Sequence, residues 1–257
     1  MPLKTVLITS AGLAGKGIEA TAPEGVEIIT APADKAAMRG VFETGRIDAV
    51  VHCPGVTDAE PQRYMRELVA LCKEFPAYLV YVSSGAVFDG KHGPFREDHA
   101  VCPESGAGRA CVECEIMAVT ELENCSVARP ALMYGWEDAN PVSLILRLLR
   151  AGTALKLADN EIENPVYNIQ FGKAVWRMLE TQPWGVFHIG GGDSISRYEF
   201  GLEISGVFGA DSHLAVPVSV EPANASLDIA RMETELGIKP ITFEEGLKEM
   251  LKRENTL

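Results

Sequence analysis

The sequence predicts an α/β fold of Rossmann type: a doubly wound parallel sheet with a smaller C-terminal substrate lobe. Three features carry this. Short apolar β-branched runs alternate with helical segments, a glycine-bearing turn follows the first run, and the alternation breaks after Tyr134-Gly135.

In order, Val6-Leu7-Ile8-Thr9 reads as the first strand and Val26 to Thr30 as the second. A helix over Ala33 to Thr44 precedes the strand Asp48 to Cys53, which ends at the breaker pair Pro54-Gly55. Met65, Leu68, Val69 and Cys72 mark Glu60 to Phe75 as a helix by their spacing. Tyr78 to Ser84 is a buried strand that enters a loop rich in Gly, Asp and Pro, and a helix from about Gly108 to Leu122 leads to the strand Ser126 to Arg129, stopped by Pro130. Val142 to Leu149 is an apolar helix, whereas Gly152 to Asn164 reads as irregular and polar. Phe171 to Glu180 and Val186 to Gly190 resume helix and strand, and helices over Tyr198 to Phe208, Ile229 to Leu236 and Phe243 to Lys252 close the chain. The expected division is residues 1–140 with 170–195 as the dinucleotide-binding core, and 141–169 with 196–257 as the smaller lobe.

With 257 residues and 47% hydrophobic content the chain can bury a sizeable core. The 23 Lys+Arg against 36 Asp+Glu give a net charge of -13, which repels nucleic acid and anionic membrane surfaces. No secretory leader or apolar run of bilayer length is visible, so a soluble cytoplasmic protein is expected, with its six cysteines reduced.

Thr9 to Gly17 leaves the first strand and enters a helix, the context in which glycines let backbone N–H groups approach a pyrophosphate. Gly12 and Gly15 match the second and third glycines of G-x-x-G-x-x-G, and Thr9 replaces the first. The candidate cofactor site is therefore Thr9, Ala11, Gly12, Leu13, Ala14 and Gly15, with Cys53, Pro54 and Gly55 at the end of the third strand. An NAD-selecting carboxylate normally closes the second strand, but Thr30-Ala31-Pro32 stands there. Asp34 follows, open to two readings, as an adenine-end contact or as a helix N-cap. NAD or NADP are equally compatible with this pattern.

Tyr81 to Gly90, Gly93-Pro94-Phe95-Arg96-Glu97-Asp98, Arg129-Pro130-Ala131-Leu132-Met133-Tyr134-Gly135, Asn164-Pro165-Val166-Tyr167 and Pro222 to Asp228 together resemble the extended short-chain dehydrogenases of the NAD-dependent epimerase/dehydratase superfamily, in the branch of dTDP-4-dehydrorhamnose reductase. The resemblance implies a nicotinamide cofactor, a nucleotide sugar as small-molecule ligand, and a homodimer through Glu60 to Phe75 and Gly108 to Leu122. It also implies a carbonyl-positioning role for Ser84 and substrate contacts from Val87, Tyr134, Asn164 and Tyr167. In that family a Tyr-x-x-x-Lys motif supplies the proton and holds the nicotinamide ribose. Counted from Pro103, those positions are Ala107 and Cys111, which can do neither. Tyr134, Tyr167 and Arg109 remain as candidate substitute acids.

Cys111-Val112-Glu113-Cys114 puts two thiols on one side of a helix, as packing residues or as a redox or metal-binding pair, but no further ligands with metal spacing accompany it and no metal is expected. His188 reads as a core histidine, and Gly190-Gly191-Gly192-Asp193 as a crossing between lobes rather than a phosphate loop. Two functions follow: an oxidoreductase or epimerase-like enzyme with a degenerate active site, or a non-catalytic binding descendant, as the regulatory β subunit of methionine adenosyltransferase resembles this family.

Overall fold

The computed structural model describes residues 3–9, 12–31, 35–54, 61–136 and 140–254. Its alternating part runs β1 (Thr5–Ile8), α1 (Leu13–Glu19), β2 (Glu27–Thr30), α2 (Lys35–Thr44), β3 (Ala49–His52), α3 (Pro61–Glu74), β4 (Tyr78–Val82), α4 (Gly106–Glu121) and β5 (Cys125–Pro130). It gives way to β6 (Met133–Tyr134), α5 (Pro141–Arg150), β7 (Leu155–Ala158), β8 (Glu161–Glu163) and β9 (Val166–Tyr167). Then come α6 (Asn168–Thr181), β10 (Gly185–Ile189), β11 (Ile195–Ser196), α7 (Arg197–Phe208), β12 (Ala215–Val218), β13 (Ala223–Asn224), α8 (Ala230–Glu235) and α9 (Phe243–Glu254).

Six strands form one sheet in the order β10-β5-β4-β3-β1-β2, with every pair parallel. Alternate residues of each strand face opposite sides. Val6, Ile8, Val51 and Val80 pack under α1, α6 and α8 against Ile18, Phe171, Trp176 and Met232. Leu7, Val50, Leu79 and Val127 pack under α2, α3 and α4 against Phe42, Leu68 and Cys114. Burial on both faces explains why these strands read as unbroken apolar runs. Since β1 lies between β2 and β3, the chain reverses direction across the sheet at the β1/β3 boundary, where doubly wound folds take their ligands.

The crossing of α1 over α6 depends on missing side chains. A Cβ on Gly17 would stand 2.1 Å from the Asn168 carbonyl oxygen, and one on Gly172 would stand 2.2 Å from that of Gly17. Gly17, at the end of the glycine-bearing turn, thus serves helix packing.

A further apolar cluster joins α5, α7 and α9 around Tyr134, Leu146, Tyr167, Phe200, Phe243 and Leu247. The stretch expected to be irregular, residues 152–164, contains β7 and β8. β7 pairs with β12, and β8 with β11 and β13, so partners distant in sequence make these strands where local propensity does not. Met232 and Leu236 of the α8 region pack in the sheet's own core. Among the described residues no helix is long and apolar enough to cross a membrane.

Candidate functional site

Ser84 leaves β4 in extended conformation, and its Oγ accepts the Ala86 N–H at 3.1 Å, capping a 3₁₀ turn over Gly85–Val87. It lines a cavity of about 520 Å³ together with Asp89, Glu104, Ser105, Glu163 and Ala225, within the size range of small-ligand sites. Segment 223–228 stitches two walls of this cavity together. On one side Gly93 N–H donates to Asn224 O at 2.8 Å, Phe95 N–H to Ser226 O at 2.9 Å and Asp228 N–H to Phe95 O at 2.7 Å. On the other, Ala225 N–H donates to Ile162 O at 2.9 Å, while the Asn164 amide accepts from Leu227 N–H at 2.9 Å and donates to Leu227 O at 2.8 Å.

The positions expected for Tyr-x-x-x-Lys, Ala107 and Cys111, fall on α4. Ser105 caps it by accepting Gly108 N–H at 2.9 Å. A Cβ on Gly108 would lie 2.1 Å from Ala86 O, so this glycine seats the helix against the turn that follows Ser84. Ala107 is exposed in the first turn. Cys111 is half-buried and, with the fully buried Cys114, faces the Tyr81 hydroxyl, while burial pushes both thiols up, Cys114 to about 11. One turn further, buried Glu115 accepts from Ser83 Oγ at 2.5 Å and from Arg129 Nε and Nη2 at 2.9 and 2.7 Å. Arg129 lies over the Phe88 ring at 5.2 Å and reaches His188 Nε2 at 3.4 Å. Burial, then the Arg129 charge, lowers His188 to about 3, so it is a neutral core residue.

Other residues singled out in the sequence lie apart from the cavity lining. Tyr134 and Tyr167 stack at 5.5 Å between centroids inside the lobe cluster, where Tyr134 Oη donates to Phe243 O at 3.4 Å. Burial raises the Tyr134 hydroxyl well above its ordinary value. Asn164 is 3% exposed, with both ends of its amide used by Leu227. Val87 is packed among Phe88, Phe95 and Leu227, and Arg109 is an exposed side chain donating to Glu104 O. The run from Gly190 to Asp193 does cross between clusters: Gly191 N–H donates to Asn164 O and Gly192 N–H to Ile241 O, while Asp193 Oδ1 accepts Phe243 N–H at the start of α9.

At the glycine-bearing turn, Gly12 is the extended N-cap of α1 and has no side chain with which to cap it, and the N-terminus of a helix favours an anion. Leu13 and Ala14 are half-buried and Gly15 buried. Thr9 Oγ1 is tied to His52 Nδ1 at 2.8 Å and accepts Cys53 N–H at 3.1 Å, locking the ends of β1 and β3 together. Cys53 is a core residue whose thiol burial pushes up to about 12, and Pro54 is half-buried beside it. Ala11, Asp34 and Gly55 lie outside the described residues, and Thr30 and Ala31 bring no carboxylate to the end of β2. The small residues Gly12, Ala14 and Gly15 fit the close approach of a dinucleotide's pyrophosphate, while Cys111, at the position expected for the lysine, carries no cation for a nicotinamide ribose.

Sequence reading passed over Asp89, Glu104, Glu115 and Glu163. For Glu115 a signal existed, since it lies one helical turn beyond Cys111 on the same face.

A Rossmann-type sheet whose cavity opens beside a serine at the end of β4 defines the scaffold of an extended short-chain dehydrogenase. The chain belongs to the RmlD substrate binding domain family, which matches residues 10–256. It is 23% identical over 246 residues to methionine adenosyltransferase 2 subunit beta of Danio rerio, covering 85% of this chain and 76% of that protein. It is 25% identical over 190 residues to dTDP-4-dehydrorhamnose reductase of Aggregatibacter actinomycetemcomitans, covering 66% of this chain and 65% of that one. The structure of dTDP-4-dehydrorhamnose reductase from Bacillus anthracis in complex with NADP superimposes with a TM-score of 0.85 at 20% identity, covering 98% of this chain and 99% of that one.

Proposed function

We propose that this protein is a cytoplasmic ligand-binding member of its family, holding a nucleotide-linked sugar in the Ser84 cavity and a nicotinamide dinucleotide on the β1–α1 turn, with ordinary carbonyl reduction lost. The observation that carries it is the state of α4: Ala107 and Cys111 bring neither acid nor cation to the cavity, and Cys111 faces Tyr81 and Ser83 instead. A positioned general acid is worth roughly 10²–10⁴-fold in rate. Tyr134 and Tyr167 are buried in the lobe cluster and absent from the lining of the Ser84 cavity, which supports the reading. Relatives bearing the name of a subunit, methionine adenosyltransferase 2 subunit beta, support a role within an assembly.

In this reading, the N–H groups around Gly12 to Gly15 take the pyrophosphate and Ser84 donates to a ligand oxygen. A reduced nicotinamide, when bound, is a hydride source. The cavity of about 520 Å³ accommodates a sugar ring. The specific observation favouring retained enzyme activity instead is Glu163, a carboxyl in that same cavity that burial raises against the opposing pull of Arg197, available as a substitute acid.

Fluorescence titration with NADH and NADPH, followed by an assay on dTDP-4-dehydrorhamnose, tests the proposal. Micromolar binding with reduction at background rate is expected, and Ala107→Tyr with Cys111→Lys should raise the rate by at least about 100-fold. No binding at millimolar dinucleotide removes the cofactor role. Full-rate reduction by the unaltered protein removes the non-catalytic reading.

A further inference from the structure

We propose that the Ser84 cavity selects its ligand by charge, admitting a sugar ring that carries hydroxyl or ammonium groups and refusing one that carries a carboxylate, with Glu163 as the deciding residue. The inference rests on the reading of this cavity as a sugar site.

Among the described residues, the cavity lining includes three carboxylates, Asp89, Glu104 and Glu163, and no lysine, arginine or histidine. Lys91, His92 and Arg197 are engaged with those carboxylates, and the exposed Arg109 donates to the backbone oxygen of Glu104. Lys91 Nζ is 2.7 Å from Glu104 Oε1, His92 Nδ1 is 2.5 Å from Asp89 Oδ2, and Arg197 spans Glu161 at 2.9 Å and Glu163 at 2.6 Å. The lining itself therefore offers a ligand carboxylate oxygens and no basic side chain. Hydroxyl and ammonium groups donate to such oxygens, whereas a ligand carboxylate has nothing to accept from except Ser84, Ser105 and backbone N–H groups.

Glu163 differs from Glu104 in exposure and from Asp89, itself 18% exposed, in its electrostatics. Its side chain is 16% exposed against 60% for that of Glu104, so water screens it less. Arg197 occupies its Oε1 alone. β8 holds it in place between β11 and β13, with Ile195 as its register partner. Asp89 differs in its protonation: the Lys91 and His92 N–H groups and the His92 ring hold its carboxyl below the usual range, so it stays ionised at working pH. For Glu163, burial raises the carboxyl while Arg197 from α7 opposes and Glu161 on its own strand adds to the rise. Falling pH thus neutralises Glu163 before Asp89.

The test is calorimetric titration of the full chain with UDP-glucose, UDP-glucosamine and UDP-glucuronate, three probes with the same nucleotide and rings of different charge. Expected at pH 8 is a Kd for UDP-glucuronate at least about tenfold weaker than for UDP-glucose, with UDP-glucosamine no weaker than UDP-glucose. Glu163→Gln should narrow the glucuronate gap to less than about threefold, with thermal unfolding confirming that the variant is folded. If the variant does not fold, Glu163→Ala is measured in its place, with the same narrowing expected. UDP-glucuronate binding as tightly as UDP-glucose at pH 8 overturns charge selection while leaving the sugar site standing, and a gap unchanged by the substitution of Glu163 removes Glu163 as its cause. If none of the three probes binds, the sugar-site reading falls, and this rule with it.

Discussion

Glu115 on α4 holds Arg129 on β5 through two contacts of 2.9 and 2.7 Å, with both side chains under 8% exposed. The ion pair lies directly behind Ser83, whose hydroxyl shares Glu115 Oε1. Losing one partner strands the other charge away from water. Glu115→Leu alone should therefore cost about 3–5 kcal/mol in urea unfolding, whereas Glu115→Leu with Arg129→Met should recover most of that loss.

Glu203 on α7 sets an alkaline limit on stability. Burial, with Asp193, Glu244 and Glu199 nearby, raises its carboxyl from 4.5 to about 7. The folded state thus binds a proton that the unfolded state releases, and stability falls as pH rises from about 4.5 through 7. Since the group is partly solvated, the effect should reach only about 1 kcal/mol. Glu203→Gln is expected to be more stable than the parent at pH 8, with the difference fading at pH 4.5, by thermal unfolding at both values.

The acid limit has the opposite origin. Burial lowers His52 and His188 from 6.5 to about 3. The unfolded chain takes up protons that the folded chain refuses, so this contribution to stability is present above pH 6.5 and lost as pH falls towards 3. Urea midpoints measured between pH 7 and 4 should decline, and His188→Gln should flatten that slope.

Gly17→Ala tests the helix crossing. A methyl group 2.1 Å from Asn168 O forces α1 off α6, at a cost of at least about 2 kcal/mol by urea unfolding. Gly40→Ala, where a Cβ meets nothing within 4 Å, should be neutral or stabilising.

The sheet was legible because Val6 to Ile8, Val50 to His52 and Tyr78 to Val82 are buried on both faces, and such strands advertise themselves as apolar runs. β8 was not, because Glu161-Ile162-Glu163 gains its strand identity from β11 and β13, both two-residue strands far along the chain. Ala107 and Cys111 were legible as occupants of the expected Tyr-x-x-x-Lys positions, since both fall at a fixed spacing from Pro103. Glu163 was not: a glutamate in a polar run before Asn-Pro looks solvated until the lobe folds back over Ser84. The opposite holds for Asn164 and Tyr134, which carry family motifs and are fastened into the protein's own bonds.

The seam at 223–228 fixes more than the local backbone. Ala225 sits between the stretch carrying Asp89 and the strand carrying Glu163, bonded to the strand by its own N–H and tied to the stretch through Asn224, whose N–H donates to Lys91 O. Those two margins consequently have no independent travel: an arriving molecule finds them already set, and its affinity bears little entropic cost for ordering them.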